Sequence, residues 1–160
     1  MSSQSIFTSS LWQACEQYYP AVEVTALQLQ DRHGVIINLL LLALELDHQQ
    51  LRLAPQRWQQ LHDVVSQWQQ RILVPYRQLR RLSKTHVDQD VYQQMLQLEL
   101  LLEHKCQQFI LQQLWNETPE PQTTGQSNLR DYLTLLQLDL RDYPMLAQQD
   151  HLYGKLAVSL

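Results

Sequence analysis

Glycine is nearly absent from this chain, with 3 in 160 residues. The three stand alone as Gly34, Gly125 and Gly154, so no glycine-rich loop exists to cradle a phosphate. Cysteine is scarcer still. Cys15 and Cys106 lie far apart in helical stretches, which excludes a disulfide framework, and two thiols cannot form a structural zinc site alone. Val, Ile and Thr are sparse and scattered, so continuous strands are hard to build. The longest apolar run, Val35 to Leu46, is broken by Asn38 and Glu45. At about 12 residues it is too short to span a bilayer. The opening MSSQSIFTSS lacks the basic region and apolar stretch of a secretory signal, and a cytoplasmic protein without a membrane segment is expected. A strong excess of one sign of charge is missing too: 12 Lys and Arg stand against 16 Asp and Glu, a formal charge of −4. Nothing in that balance draws the chain toward nucleic acid or an acidic membrane surface.

What fills the sequence instead is 32 Leu and 27 Gln. Both are straight-chain residues that lose little freedom in a helix. The expected class is all-α: a single-domain bundle of about six to eight helices over residues 1–160, main bundle 9–116, linker 117–127 and C-terminal helices 128–160. Ser9 or Ser10 caps a first helix to about Tyr19, and Pro20 suits the first turn of a second to about Arg32. Gly34 is its left-handed stop. The third, Val35 to about His48, is apolar nearly all round, the mark of a central buried helix. Pro55 opens a fourth with Trp58, Leu61, Val65, Trp68 and Ile72 on one stripe. Pro75 kinks it or starts a fifth. Asp88 caps a long sixth helix to about Asn116. ETPEPQTTGQ, residues 117–126, is the one clear linker. Ser127 caps a last amphipathic helix to about Arg141, whose Leu129, Leu133, Leu136 and Leu140 either close the core or make a dimer. Pro144 interrupts it, and a tail helix follows to about Val158. The portion after residue 117 is too short for a core of its own, so it forms a hairpin docked on the bundle or handed to a partner.

Three stretches carry candidate chemistry. The first is the turn containing Asp31, followed by Asn38 inside an apolar helix. A buried amide needs hydrogen-bond partners, so Asn38 is a polar pin between helices or a ligand contact at the mouth of the bundle. The second is the basic stripe Arg77, Arg80, Arg81 and Lys84, on one face at helical spacing and near a helix start that favours anions. Guanidinium forks match carboxylate and phosphate. The third is Glu99 and Glu103, one turn apart among leucines. A loop of about four residues, Thr85 to Asp88, makes the fifth and sixth helices antiparallel, which offers Arg77 and Arg80 to the two glutamates. The eight residues are read first as an internal polar network and second as a ligand site.

No catalytic residue is assigned and no cofactor is implied. Glu45 and His48 have the Glu-x-x-His spacing of di-iron bundles, but the matching second motif is absent, since Glu103 and His104 are adjacent. No metal ligand is therefore assigned. His62, Asp63, His86, Asp150 and His151 read as surface positions. No serine sits in a nucleophile elbow. Trp12, Trp58, Trp68 and Trp115 read as core or interface.

The segments Leu27-Gln-Leu-Gln-Asp-Arg-His-Gly-Val-Ile-Ile-Asn38 and Pro75-Tyr-Arg-Gln-Leu-Arg-Arg81, with the early Leu11-Trp12 and the spaced glutamates, resemble a proteobacterial family of uncharacterised all-helical proteins. The likeness covers roughly residues 11 to 115. Tyr76 departs from the family's usual leucine, and nothing after the linker matches. The resemblance groups the charged positions but implies no activity.

Two functions follow as expectations. The leading one is a non-enzymatic cytoplasmic interaction protein binding another macromolecule, with another protein or a second copy of the chain as partner. The alternative is a binder of, or enzyme on, a small anion such as phosphate or a carboxylate, held between Asn38, Arg77 and Arg80. Nucleic acid is disfavoured, because its readers interleave basic and aromatic residues, and only Tyr76 stands near the stripe.

Overall fold

The computed structural model describes residues 6–150. The helices run in the order α1 (Leu11–Glu16), α2 (Tyr19–His33), α3 (Ile37–His48), α4 (Pro55–Trp68), α5 (Val74–Ser83), α6 (Gln89–Leu114), α7 (Asn128–Leu135) and α8 (Pro144–Gln149). α4 and α5 are one rod, joined by a π turn at Gln69–Leu73. The chain is an all-α single-domain bundle. Among the described residues no helix is long and apolar enough to cross a membrane.

α3 is the axis of the core. Its residues 39 to 47 are all buried, which follows from leucine on every face. α1, α2 and α7 pack around it, and α4 packs against α7 and α6. Gly34, at φ +70, ends α2 with its N–H returned to the Gln30 carbonyl, the left-handed cap expected of a glycine there.

Several local expectations are corrected. Ser10 and Asp88 precede helices but make no side-chain cap bond; only Ser127 caps as expected, accepting from the Arg130 N–H. α1 stops at Glu16, short of Tyr19. Ile72 is not on the buried stripe of α4: it is exposed and Leu73 is buried in its place. The cause is the π turn, which adds one residue to the repeat and moves the inward position from 72 to 73. Pro75, which has no N–H to give, lies just beyond it.

The last helix is shorter than Leu129 to Arg141. α7 ends at Leu135 because Gln137 turns left-handed at φ +62. The N–H groups of Leu138 and Gln137 return to Leu133 and Thr134, a Schellman end built without glycine. A 3₁₀ turn at Leu140–Asp142 and α8 follow. The tail helix toward Val158 lies outside the described residues beyond Asp150. Leu129 and Leu133 are fully buried, so α7 closes the core.

The stretch 117–127 is tied down. Glu120–Pro121 (β2) pairs antiparallel with Leu51–Arg52 (β1), and the Gln122 N–H donates to the Gln50 carbonyl. The C-terminal hairpin is docked on the bundle, not detached from it.

Candidate binding cleft

α5 and α6 form an antiparallel hairpin whose contact seam repeats at three and four residues. Tyr76 and Arg80, four apart, meet Tyr92, Met95 and Glu99, spaced by three and four, which is coiled-coil spacing. The Tyr76 hydroxyl donates to the Met95 carbonyl at 2.8 Å. Arg80 occupies a position where a coiled coil would hold leucine. Its Nη2 donates to Glu99 Oε1 at 3.0 Å, and its Nε lies 3.0 Å from Glu99 Oε2, an ion contact too bent to be a hydrogen bond. Arg77 Nη2 reaches Glu103 Oε1 at 3.0 Å, and Arg77 Nε lies 3.5 Å from Glu99 Oε1. Glu99 thus carries two guanidinium groups while buried. Its hydrogen bond holds the Arg80 guanidinium more firmly charged than usual.

This hairpin forms one wall of a cleft of about 1020 Å³. The opposite wall comes from α2 and the start of α3. Seven of the eight expected residues line it: Asp31, Asn38, Arg77, Arg80, Arg81, Glu99 and Glu103. Lys84 stands exposed beyond its end. Asn38 is half-buried rather than buried. Its carbonyl oxygen accepts from Gln107 Nε2 at 3.2 Å, so it pins α3 to α6 across the cleft. Val35, Ile36, Leu41, Leu73 and Cys106 make an apolar floor. Burial pushes the Cys106 thiol up to about 12, which leaves it protonated and unreactive. The cleft therefore has an apolar floor and a rim of both signs. Arg77 and Arg80 are neutralised by the protein's own carboxylates, whereas Arg81 has no ion pair among the described residues.

A second polar centre, at the far end of α3, escaped the sequence reading. Asp47 is fully buried. Its carboxylate accepts from the N–H groups of Asn128 at 2.7 Å and Leu129 at 3.1 Å. It also accepts from Asn128 Nδ2 at 2.9 Å and Gln122 Nε2 at 2.5 Å. An acidic group at the first turn of α7 is favoured by that helix's free N–H groups. Asp150 is not on the surface, as expected, but buried beside it. The Ser127 hydroxyl lies 3.1 Å from Asp47 and 2.9 Å from Asp150. It has one proton for two carboxyl groups, so Asp150 keeps its own. Burial, then the hydrogen bond with Asp47, raises the Asp150 carboxyl well above the usual carboxylate range. A raised native value means stability is full below the ordinary value of about 3.9 and is lost as pH rises through the native one. Asp150→Asn is expected to remove that loss. The stability of the variant relative to the parent rises between about pH 5 and pH 8.5 in urea titrations; a difference independent of pH would contradict the shared proton.

His62 is also no ordinary surface residue. The Tyr132 hydroxyl accepts from the Ile36 N–H at 3.0 Å and shares a hydrogen bond with His62 Nδ1 at 2.9 Å. Burial lowers the His62 pKa, and the neutral ring links α4 to α7. Glu45 is buried, accepting from Tyr18 and Gln49. Among the described residues no group of three His, Cys, Asp or Glu could hold a metal ion. The signal for Asp47 was present in the sequence, as an acid inside an otherwise leucine-filled helix, but its partners lie about 80 positions away.

A family model described as a protein of unknown function, DUF2390, matches residues 10–110. No curated protein and no solved structure matches the chain.

Proposed function

The chain belongs to this family of unknown function, and we propose that it is a non-enzymatic, cytoplasmic interaction protein that holds a segment of another protein in the cleft between α2, α3, α5 and α6. The observation that carries the reading is the state of the cleft's cations. A small anion taking Arg77 and Arg80 would have to displace Glu99, which is buried and bound to both. A protein segment needs no such displacement. It can lay apolar side chains against Leu27, Val74 and Leu100, which are exposed on the cleft, and meet both signs of charge at the rim, the pattern of a protein-binding patch.

The unpaired Arg81 favours the second reading, an anion such as phosphate or a carboxylate. The two separate experimentally. A photo-crosslinking residue at position 100 is expected to capture a protein in cells, while the same residue at the remote, exposed position 59 does not, and Leu27→Asp is expected to abolish capture. No adduct at position 100, together with a thermal shift above about 2 °C by phosphate or citrate that Arg81→Ala removes, would establish the anion instead.

A further inference from the structure

We propose that the segment held in the cleft is an amphipathic α-helix of the partner protein, with a cation on one flank and a carboxylate on the other. This rests on the protein-binding reading of the cleft and adds the form and charge of what it binds.

The walls of the cleft select a helix. Each lining helix presents residues one turn apart. On α5 they are Val74, Gln78 and Arg81, and on α6 they are Leu100, Glu103 and Gln107. On α2, Leu27 and Asp31 are likewise four apart. Rows at spacings of three and four are the ridges between which another helix seats its own side chains. A helix about 10 Å across, rising 1.5 Å per residue, fills about 120 Å³ per residue. The cleft of about 1020 Å³ therefore takes about two turns.

Backbone chemistry points the same way. The strand pair of β1 and β2 lies outside the cleft, so no sheet edge is offered to an extended peptide. The link from α2 to α3 spends the N–H groups of Gly34, Val35 and Ile36 on the Gln30 carbonyl, the Leu29 carbonyl and the Tyr132 hydroxyl. An extended segment would lay unpaired N–H and C=O groups over the apolar floor, which costs free energy. A helix arrives with those groups already bonded along its own axis.

Charge sets how the helix lies. Once Arg77 and Arg80 are matched by Glu99 and Glu103, two rim charges remain without an ion pair among the described residues: Asp31 on the α2 wall and Arg81 on the facing α5 wall. Both are exposed. Glu16, at the same rim as α2, accepts only from Gln107. A bound helix thus turns its cationic flank to α2 and its carboxylate to Arg81, a complementarity that fixes orientation.

Selection of phage-displayed random peptides of about 16 residues, some four helical turns, on the full chain tests this. Cleft binders are those retained by the full chain and lost on Leu27→Asp, a substitution at a side chain 40% exposed that should leave the Tm unchanged. They are expected to carry apolar residues at i, i+3 or i+4, and i+7. So short a helix is marginal in free solution, so a synthetic binder should gain helical circular dichroism on mixing with the protein. Proline at its centre should lower affinity about 100-fold. Arg81→Glu should weaken it about fivefold, and lysine in place of the peptide's carboxylate should restore it. Binders that need Leu27 yet gain no helix and tolerate proline overturn the helical form and leave the protein-binding reading standing. Failure to select any binder that needs Leu27 overturns both. Indifference of the helical binders to Arg81→Glu overturns the assigned orientation.

Discussion

Asp47→Ala is expected to destabilise the protein by roughly 3–5 kcal/mol, the largest loss of any single polar substitution in the chain. The carboxylate serves the N–H groups of Asn128 and Leu129, the Asn128 side chain and the Gln122 side chain. Removing it leaves buried donors without an acceptor, each worth about 1–3 kcal/mol, with part regained by water entering the space. The same carboxylate ties three parts of the chain together: the end of α3, the strand pair near Leu51, and the start of α7. Asp47→Asn should cost less, about 2 kcal/mol, because one oxygen still accepts. Urea denaturation with an unchanged m-value measures both. A loss below about 1 kcal/mol for Asp47→Ala would mean that water can replace the carboxylate, and its role in holding α7 would be discarded.

Glu99→Ala should cost about 3 kcal/mol, near the low end for buried ion pairs. The Arg77 and Arg80 side chains remain 17% and 16% exposed, so water reaches the stranded guanidinium groups and softens the loss. Arg80→Met combined with Glu99→Leu should recover most of it. That double change turns a charged layer of the seam into the apolar layer a coiled coil ordinarily holds, and no buried charge is then left without a partner. A double-mutant cycle reads the coupling directly. If Glu99→Ala were neutral, the Arg–Glu cluster would be a surface feature and Arg77 and Arg80 would be free to take an anion, which would reverse the choice between the two functions.

Much of the candidate cleft was legible before any coordinates. Short separations in sequence explain why. The loop from Thr85 to Asp88 forces the antiparallel hairpin, and residue spacing then sets Arg77 and Arg80 against Glu99 and Glu103. Asp31 and Asn38 stand at the end of the helix facing them. The sequence could not reveal that the arginines would be neutralised while still lining a cleft, because that depends on the distance at which α2 and α3 pack. Nor could it show which leucines of α5 and α6 stay bare. Both helices are rich in leucine, and only the π turn's one-residue shift decides that Leu73 is buried and Ile72 is not.

The amino-acid sequence by itself determined the helical class, the centrality of α3, the stop at Gly34, the cap at Ser127 and the hairpin of α5 on α6. These rest on interactions within a few residues and on apolar burial, which is written in composition and period. Tertiary structure alone decided the left-handed end of α7 at Gln137, the strand pair that fastens the 117–127 stretch, and the burial of Asp47 with Asp150. Each depends on hydrogen bonds between distant segments, and such bonds leave no periodic trace. A buried carboxylate is tolerated only where many donors converge on it, and the convergence exists only once α7 has docked against the end of α3.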